Sequence, residues 1–287
     1  MIELISDSVK ICFSTKGAEI TSAIKDGLEY IWQADKNIWP RHAPVLFPIV
    51  GKLKNNQYFL NDKPFSLSQH GFARDAKFKV IENSATHVIF ELETNKSNFE
   101  NYPFEFLLRI AYVLKDDELT CLYEITNKSS EQLYFSIGAH PGFNVPLNEN
   151  LEKFEDYFLE FELDKLKLSL LTDGLRNGKQ VEVLLKKRRL DLNHSLFNSD
   201  ALIMEGNQIN KLKLFSSKSN KGVEICCLDW PYFGVWSKKG NSNFVCLEPW
   251  YGIADSVDTT GELKDKEGII LLNVEEKFNC EYSIKFY

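Results

Sequence analysis

The sequence contains little of what marks a secreted, membrane-spanning or metal-cluster protein. Its 287 residues include only two methionines and five histidines, and its six cysteines form no Cys-X-X-Cys pair. No apolar run approaches the roughly 20 residues that a membrane-spanning helix needs. The amino terminus also lacks the basic and long apolar segments of a signal peptide. We therefore expect a cytoplasmic protein with reduced cysteines and no membrane partner.

Motifs for nucleic-acid, cofactor or metal binding are scarce as well. The net charge of −7 disfavours a nucleic-acid partner, because such binding depends on neutralising phosphates. The one basic run, Lys186–Arg189, is typical of a solvated turn or strand edge. The chain has no glycine-rich phosphate loop, no G-x-S-x-G nucleophile motif and no H-E-x-x-H metal motif. The sequence thus predicts no nucleic-acid partner, no cofactor and no metal.

What the chain does contain is alternation of apolar and polar residues with a period of two. In one segment, for example, Leu108, Ile110 and Tyr112 share a face. Short turn signals separate such segments, which favours antiparallel hairpins over βαβ units. We predict an all-β protein, a large antiparallel β-sandwich with few short helices, in which residues 1–287 form a single domain. The predicted helix is a short one within His194–Met204.

Two apolar runs end in a polar side chain that directly precedes a proline. His140 precedes Pro141 in SIGAHPGFNVPL, and Glu248 precedes Pro249 in FVCLEPW. Residues before proline are extended, and proline cannot donate to a strand ladder, so each run indicates a strand that stops with a polar side chain at the sheet rim. Taken singly, His140 is more often a hydrogen-bonded structural histidine, and Glu248 would be a surface acid. Together, a facing Glu and His predict a base and an acid, each contributing roughly 10²–10⁴-fold.

Five segments of the chain resemble the aldose 1-epimerase (galactose mutarotase-like) family, in particular its LacX-like branch. They are WPRHAPVLFPIVGKLKNNQY, QHGFARD, YPFEF, SIGAHPGFNVPL and FVCLEPWYGIADS, and they occur in the order found in the family. The resemblance implies a β-sandwich of the supersandwich type, with a sugar bound in a cleft on one sheet.

The resemblance also implies roles for individual residues. By motif position, His140 matches the general acid that protonates the ring oxygen of the sugar. Glu248 matches the base that removes the proton of the C1 hydroxyl. His70 matches a second histidine that positions the sugar, with Arg74 close by, and Asp229 matches an acid that contacts sugar hydroxyls.

Further residues complete the predicted substrate site. Phe143 and Trp250 are expected to form aromatic walls of the cleft. Lys52 stands where the family usually has arginine, and it keeps the charge without the bidentate fork. Related hexose-6-phosphate epimerases bind phosphate through several arginines, and Arg41 with Arg74 and Lys52 would supply such a cluster here.

These observations predict an aldose 1-epimerase that interconverts the anomers of a hexose by acid–base ring opening and reclosure. One alternative is a hexose-6-phosphate 1-epimerase, and another is a non-catalytic carbohydrate-binding or regulatory protein of the same fold. A third is a glycoside hydrolase or lyase. A hydrolase needs two carboxylates, for which Asp229 or Asp255 would pair with Glu248. The expected partner is a small-molecule sugar or sugar phosphate.

Overall fold

Strands account for most of the structure, a computed structural model that describes residues 2–240 and 242–287. In chain order the strands are β1 (Ile2–Ile5), β2 (Val9–Phe13), β3 (Ile20–Lys25), β4 (Leu28–Glu29), β5 (Val45–Leu46), β6 (Gln57–Leu60), β7 (Lys63–Ser66), β8 (Lys79–Asn83), β9 (His87–Glu93), β10 (Phe106–Lys115), β11 (Glu118–Asn127), β12 (Leu133–Phe135), β13 (Ile137–Ala139), β14 (Gly142–Asn144), β15 (Tyr157–Phe161), β16 (Lys165–Thr172), β17 (Leu175–Leu184), β18 (Arg189–Asp191), β19 (Leu202–Glu205), β20 (Lys211–Ser216), β21 (Gly222–Cys226), β22 (Tyr232–Trp236), β23 (Phe244–Tyr251), β24 (Ile270–Leu272) and β25 (Lys277–Phe286). The helical segments are one α-helical turn, α1 (Lys96–Phe99), and the short 3-10 helices Lys54–Asn56, Ala73–Asp75, Phe154–Asp156, His194–Phe197 and Leu263–Asp265.

Two large antiparallel sheets dominate the architecture. The nine-stranded sheet has the order β18-β15-β20-β21-β25-β11-β10-β9-β8. The eight-stranded sheet has the order β17-β16-β19-β22-β23-β13-β5, and β14 also pairs with β23. Smaller sheets are formed by β1 to β4, by β6 with β7 and by β12 with β24. The predicted large antiparallel β-sandwich is confirmed.

The main hydrophobic core contains the inner faces of both large sheets. Ile110 and Ile284 from the nine-stranded sheet belong to the same buried cluster as Val235 and Leu247 from the eight-stranded sheet. Apolar and polar residues alternate along β10, and this alternation determines which face of the strand meets the core. Ile110 is fully buried, while its neighbour Arg109 is half-exposed. Burial of these apolar side chains is the dominant stabilising contribution of the sandwich.

The prediction of a short helix within His194–Met204 is wrong beyond the first turn of that segment. A 3-10 helix covers His194–Phe197, and β19 then begins at Leu202. Met204 is buried in the main core and Ile203 on the opposite face of the sheet. A short apolar run buried on both faces cannot be distinguished from a helix by its pattern. Among the described residues, no helix is long and apolar enough to cross a membrane.

The eight-stranded sheet is also covered on its second face, away from the main core. Two apolar clusters lie there, one of Leu46, Val50, Ile203, Trp250 and Ile253, the other of Trp32, Phe244 and Cys246 packed against Ile38, Trp39 and Trp236. Strand β23 contributes to both clusters and is buried along almost its whole length. Any polar side chain on this face of β23 therefore lies in a largely apolar environment.

Candidate active site

A cavity of about 380 Å³ opens on the second face of the eight-stranded sheet. Its size falls within the roughly 300–1,000 Å³ that is typical of small-molecule sites. Six of the predicted site residues line it, namely Lys52, His70, Arg74, His140, Glu248 and Trp250. Residues that are far apart in the chain thus meet at one place.

The proposed catalytic pair faces each other because of strand register. β13 pairs with β23 at Gly138, and β14 pairs with it at Gly142, in one continuous register. The residue midway between these glycines, His140, therefore lies opposite Glu248 on the same face. Side chains that are directly opposite on antiparallel strands are close neighbours. The Nε2 atom of His140 lies 3.1 Å from Oε2 of Glu248.

Both members of this pair are removed from water. Only 7% of His140 and 1% of Glu248 is exposed. Burial is the main reason why the pKa of His140 falls to about 3 and the pKa of Glu248 rises well above its usual range. Burial favours the uncharged form of each group, while their direct contact allows one proton to be shared between them. The pair therefore holds one transferable proton.

Two tryptophans that were not among the predicted site residues hold the imidazole of His140 in place. The ring of Trp39 stacks on it, with centres 5.0 Å apart and planes 28° apart. Trp236 meets it edge-on, with centres 5.8 Å apart. Trp236 lies opposite Cys246 in the pairing of β22 with β23. That register places it on the same face as Glu248, so strand alternation carried a signal for it.

Trp250 forms part of the cavity wall because both neighbouring strands carry a glycine beside it. A β-carbon at Gly138 would lie 2.6 Å from Cδ1 of the indole, and one at Gly234 would lie 2.4 Å from Cη2. These approaches are too close for any side chain larger than hydrogen. The glycines thus allow the ring to spread over the sheet and to offer an aromatic surface to the cavity.

His70 stands next to His140, with ring centres 5.5 Å apart and planes nearly perpendicular. Its Nδ1 accepts the backbone N–H of Gly51 at 3.1 Å, which leaves Nε2 to carry the hydrogen of the neutral ring, 3.2 Å from the side-chain amide of Gln69. Burial, followed by repulsion from His140 in its protonated form and from the charge of Arg74, lowers the pKa of His70 well below 6.5. His70 is therefore a neutral hydrogen-bond donor beside His140.

The two cationic side chains that line the cavity are each bound to a main-chain carbonyl. Nη2 of Arg74 donates to the carbonyl of Gln69 at 2.6 Å, and Nζ of Lys52 donates to the carbonyl of Asp173 at 2.9 Å. Burial lowers the pKa of Arg74 to about 10, so the guanidinium stays charged at neutral pH. Both side chains are thus held at the wall of the cavity.

The structure does not bring three of the predicted residues to the cavity. The guanidinium of Arg41 is bound by both carboxylate oxygens of Asp75, at 3.2 and 3.1 Å. Phe143 is buried in the main core, because strand alternation turns it to the face opposite to His140. Asp229 lies in an exposed turn with φ of +62°. None of these three residues lines the cavity, although the charge of Arg41 is near enough to help lower the pKa of His70 and of His140.

An acid that the sequence prediction missed, Asp200, lines the cavity. It lies in the link before β19, with an unusual φ of +91°, and its carboxylate accepts the N–H of Ala201 at 2.8 Å. After burial, its negative charge is the next cause of the raised pKa of Glu248. Loop acids of this kind have no distinguishing pattern, since their position depends on where the link crosses the sheet.

A buried ion pair behind the cavity joins the segments that line it. Nζ of Lys266 lies 3.0 Å from Oδ1 of Asp255, and both side chains are 3% exposed. Oδ2 of Asp255 accepts the N–H of Lys54 at 2.9 Å, and its own N–H donates to the carbonyl of Lys52 at 2.9 Å. The pair therefore fixes the loop that carries Gly51, the residue that orients the second histidine.

We expect His70→Asn to weaken sugar binding. We also expect the unfolding free energy of the variant to fall less steeply than that of the wild type as the pH decreases. Asparagine tolerates the φ of +67° and offers an acceptor to Gly51, but it lacks the Nε2 hydrogen. The folded-state pKa of His70 lies below the ordinary 6.5, so its stabilising contribution is complete above that pH and is lost as the pH falls below it. The loss amounts to at most about 1.4 kcal/mol per pH unit.

Urea unfolding of the two proteins on both sides of pH 6.5 measures this effect. An equally steep decline of the unfolding free energy in the variant would contradict a neutral buried His70.

Comparison with known proteins agrees with this geometry. The sequence profile of aldose 1-epimerases matches residues 1–270. Two LacX proteins of Lactococcus lactis subsp. lactis, one chromosomal and one plasmid-borne, are 37% identical over 276 residues, which cover 92% of each chain.

Solved structures give the same result. A galactose mutarotase related enzyme from Lactobacillus acidophilus superimposes with a TM-score of 0.94 at 36% identity, covering 99% of this chain and 96% of that one. A galactose mutarotase-like protein from Lactobacillus casei gives 0.93 at 31% identity over 100% of both chains. The predicted family is confirmed, and the chain belongs to the aldose 1-epimerase family.

Proposed function

We propose that this protein interconverts the α and β anomers of a hexose, with Glu248 as the base and His140 as the acid. The contact of 3.1 Å between Oε2 and Nε2 is the observation that carries the proposal. It places two proton-transferring groups side by side at the cavity. The C1 hydroxyl and the ring oxygen of a pyranose are bonded to the same carbon, so one sugar can engage both groups at once.

In the proposed reaction, Glu248 takes the proton of the C1 hydroxyl. The bond between C1 and the ring oxygen breaks with its electron pair on that oxygen, which His140 protonates. The open-chain aldehyde then rotates about C1–C2, and the reverse transfers close the ring on the other face of C1. The pair carries one proton throughout, first on the imidazole and then on the carboxyl. The cycle therefore needs no proton from water.

The burial of the pair supports the ring-opened stage of this reaction. Uncharged imidazole and carboxylic acid are the forms that burial favours, and they are also the forms that accompany the open-chain aldehyde. The low exposure of His140 and Glu248 thus stabilises the ring-opened state relative to the charged pair. Acid–base transfer within such a site is efficient because both groups are already positioned.

The other lining residues suit a monosaccharide. His70 and Arg74 present hydrogen-bond donors, and Asp200 presents an acceptor, for hydroxyl groups. The indoles of Trp39 and Trp250 offer apolar surfaces for the C–H groups of the ring. This mixture of a few polar groups with aromatic walls is typical of a pre-formed small-molecule site.

The surroundings of the cations support a free hexose over a hexose 6-phosphate. Arg41 is bound by Asp75, and the ammonium of Lys52 is bound by the carbonyl of Asp173. Asp200 adds a negative charge to the cavity wall, which disfavours a phosphate dianion. Exchange NMR with free hexoses and hexose 6-phosphates tests this preference. Acceleration confined to the phosphorylated sugars would contradict it.

The placement of the two acids that the sequence offered as partners of Glu248 weakens the hydrolase alternative. Asp255 is bound by Lys266, and Asp229 lies in an exposed turn outside the cavity. Neither carboxylate is placed to act with Glu248 across a glycosidic bond. Product release from aryl glycosides would nevertheless favour a hydrolase. Sugar binding in calorimetry without any anomer exchange would favour a non-catalytic protein.

We expect Asp200→Asn to raise the KM for the sugar by about tenfold, because a hydrogen bond to a charged acceptor is replaced by a weaker neutral one. Asp229→Asn is the matched control and should leave KM unchanged, since this residue does not line the cavity. Saturation kinetics of anomer exchange measure both values. A larger effect at Asp229 than at Asp200 would contradict the assignment.

A further inference from the structure

The catalytic pair has a third close neighbour that the proposed reaction does not use, the thiol of Cys246. One donor atom each from His140, Cys246 and Glu248 lie within 4.8 Å of one another, and all three residues are buried. We propose that this cluster binds a thiophilic divalent cation, Zn²⁺ or Cd²⁺, and that the bound ion blocks the site. The binding part stands on these three residues alone, whereas the blocking part rests on the proposed epimerase function.

The cluster follows from the geometry of the sheet. Cys246 and Glu248 are two residues apart on β23, so their side chains leave the same face. His140 joins them from the neighbouring strand, opposite Glu248. Short linear metal motifs do not include such cross-strand ligands, which explains why the sequence does not reveal this one. The histidine, the cysteine and the carboxylate are each established types of zinc ligand.

The distances are compatible with a tetrahedral ion. Ordinary zinc bond lengths place the donor atoms of such a site roughly 3.3–3.6 Å apart. The Nε2–Oε2 distance of 3.1 Å between His140 and Glu248 is close to this value. The Sγ atom of Cys246 lies within 4.8 Å of a ring nitrogen of His140 and of a carboxylate oxygen of Glu248, so a side-chain movement must bring it closer for a zinc bond. His140 and Glu248 line the cavity, which gives an ion access to these two ligands and room for a water as the fourth, while Cys246 is fully buried.

Charge balance also favours an ion in this buried place. Binding releases two protons, one from the thiol of Cys246 and the one that His140 shares with Glu248. The dication then meets a thiolate, a carboxylate and a neutral imidazole, so the cluster has no net charge either before or after binding. A neutral cluster avoids the large cost of burying an uncompensated charge. The thiolate selects Zn²⁺ and Cd²⁺ over Mg²⁺ and Ca²⁺, which prefer oxygen ligands.

A bound ion would stop the proposed reaction directly. It occupies the electron pairs of Nε2 and Oε2, so neither His140 nor Glu248 can exchange a proton with the sugar. Sugar and metal therefore compete for the same groups. We expect saturating Cd²⁺ to reduce anomer exchange to the uncatalysed rate, and excess sugar to weaken Cd²⁺ binding.

Cadmium titration of the full-length protein tests the site through the ultraviolet charge-transfer absorbance of a Cd²⁺–thiolate bond. We expect one equivalent to bind, with release of two protons into weak buffer and no response to Mg²⁺. Cys246→Ser should abolish the band and weaken binding by at least about 10–100-fold. Cys226→Ser is the control, because this half-buried cysteine lies on the nine-stranded sheet, and it should change nothing.

Several results would overturn the proposal. A band that survives Cys246→Ser, a band lost in Cys226→Ser, or release of fewer than two protons by the wild-type protein would each do so. The last measurement needs no variant. The absorbance is independent of sugar chemistry, so Cd²⁺ binding to a protein without exchange activity would refute the proposed function and keep the metal site. Exchange that persists at saturating Cd²⁺ would refute the blocking.

Discussion

Glu248→Gln should slow anomer exchange by roughly 10²–10⁴-fold, and His140→Asn should do so by a similar factor. Each replacement keeps a polar side chain at its cross-strand position, but neither amide can accept or donate the proton that the reaction moves. Because both groups are buried in direct contact, solvent has little access to act in their place. Polarimetry or NMR exchange measures the rates.

The double variant of Glu248 and His140 makes this prediction sharper. If the two residues act together on a single proton, replacing either one already abolishes the proton transfer. Anomer exchange by the double variant should therefore be little slower than by each single variant. If the fold-decreases in exchange rate of the two single variants multiply in the double variant, the two groups act independently. Asp229→Asn is a suitable control with unchanged exchange, and near-ultraviolet circular dichroism verifies that every variant is folded.

Asp255→Asn should destabilise the protein by about 3–5 kcal/mol, because it leaves the ammonium of Lys266 buried without its counter-ion. Burial already lowers the pKa of Lys266, which shows how unfavourable the charge is in this place. Since folded proteins are stable by only about 5–15 kcal/mol, this is a large fraction of the total. Urea unfolding measures the change.

A second substitution shows whether the loss of stability is due to the unpaired charge of Lys266 or to the changed side chain at position 255. Lys266→Met added to Asp255→Asn removes the unpaired charge, and we expect it to restore much of the lost stability. Glu182→Gln, in the exposed ion pair with Lys165, is the control and should have almost no effect. Equal stability of the single and double variants of Asp255 would contradict the charge argument.

The same two variants report on function. Asp255 fixes the loop whose Gly51 orients His70, so restored stability should be accompanied by restored sugar affinity. If the double variant is stable but binds sugar as weakly as the single one, the carboxylate itself positions the loop.

The sheet faces could be predicted from the sequence because alternation determines them directly. Once Leu108, Ile110 and Tyr112 share a face, burial of that face follows. His140 and Glu248, the proposed catalytic pair, could be identified in the sequence as two residues that end apolar runs before a proline. The distance between the two side chains could not be predicted, because it depends on the pairing of β13 and β14 with β23. No local sequence pattern specifies that pairing. Only the register places His140 opposite Glu248.

The errors have the same origin. Phe143 is one residue out of phase with the cavity face, which is visible only when the strand is in place. The apolar run around Ile203 is buried on both faces, so its pattern resembles that of a helix. Asp200 reaches the cavity through the path of a loop, and Trp39 reaches it by stacking on His140. Such tertiary contacts leave no periodic trace in the sequence.

Two-dimensional exchange NMR of an equilibrium mixture of hexose anomers tests the central claim most directly. We predict cross-peaks between the α and β anomeric proton signals that grow with the concentration of the wild-type protein and fall to the buffer level with Glu248→Gln. If calorimetry shows that a hexose binds while cross-peaks stay at the buffer level, for free and phosphorylated sugars alike, then the acid–base role of His140 and Glu248 is contradicted.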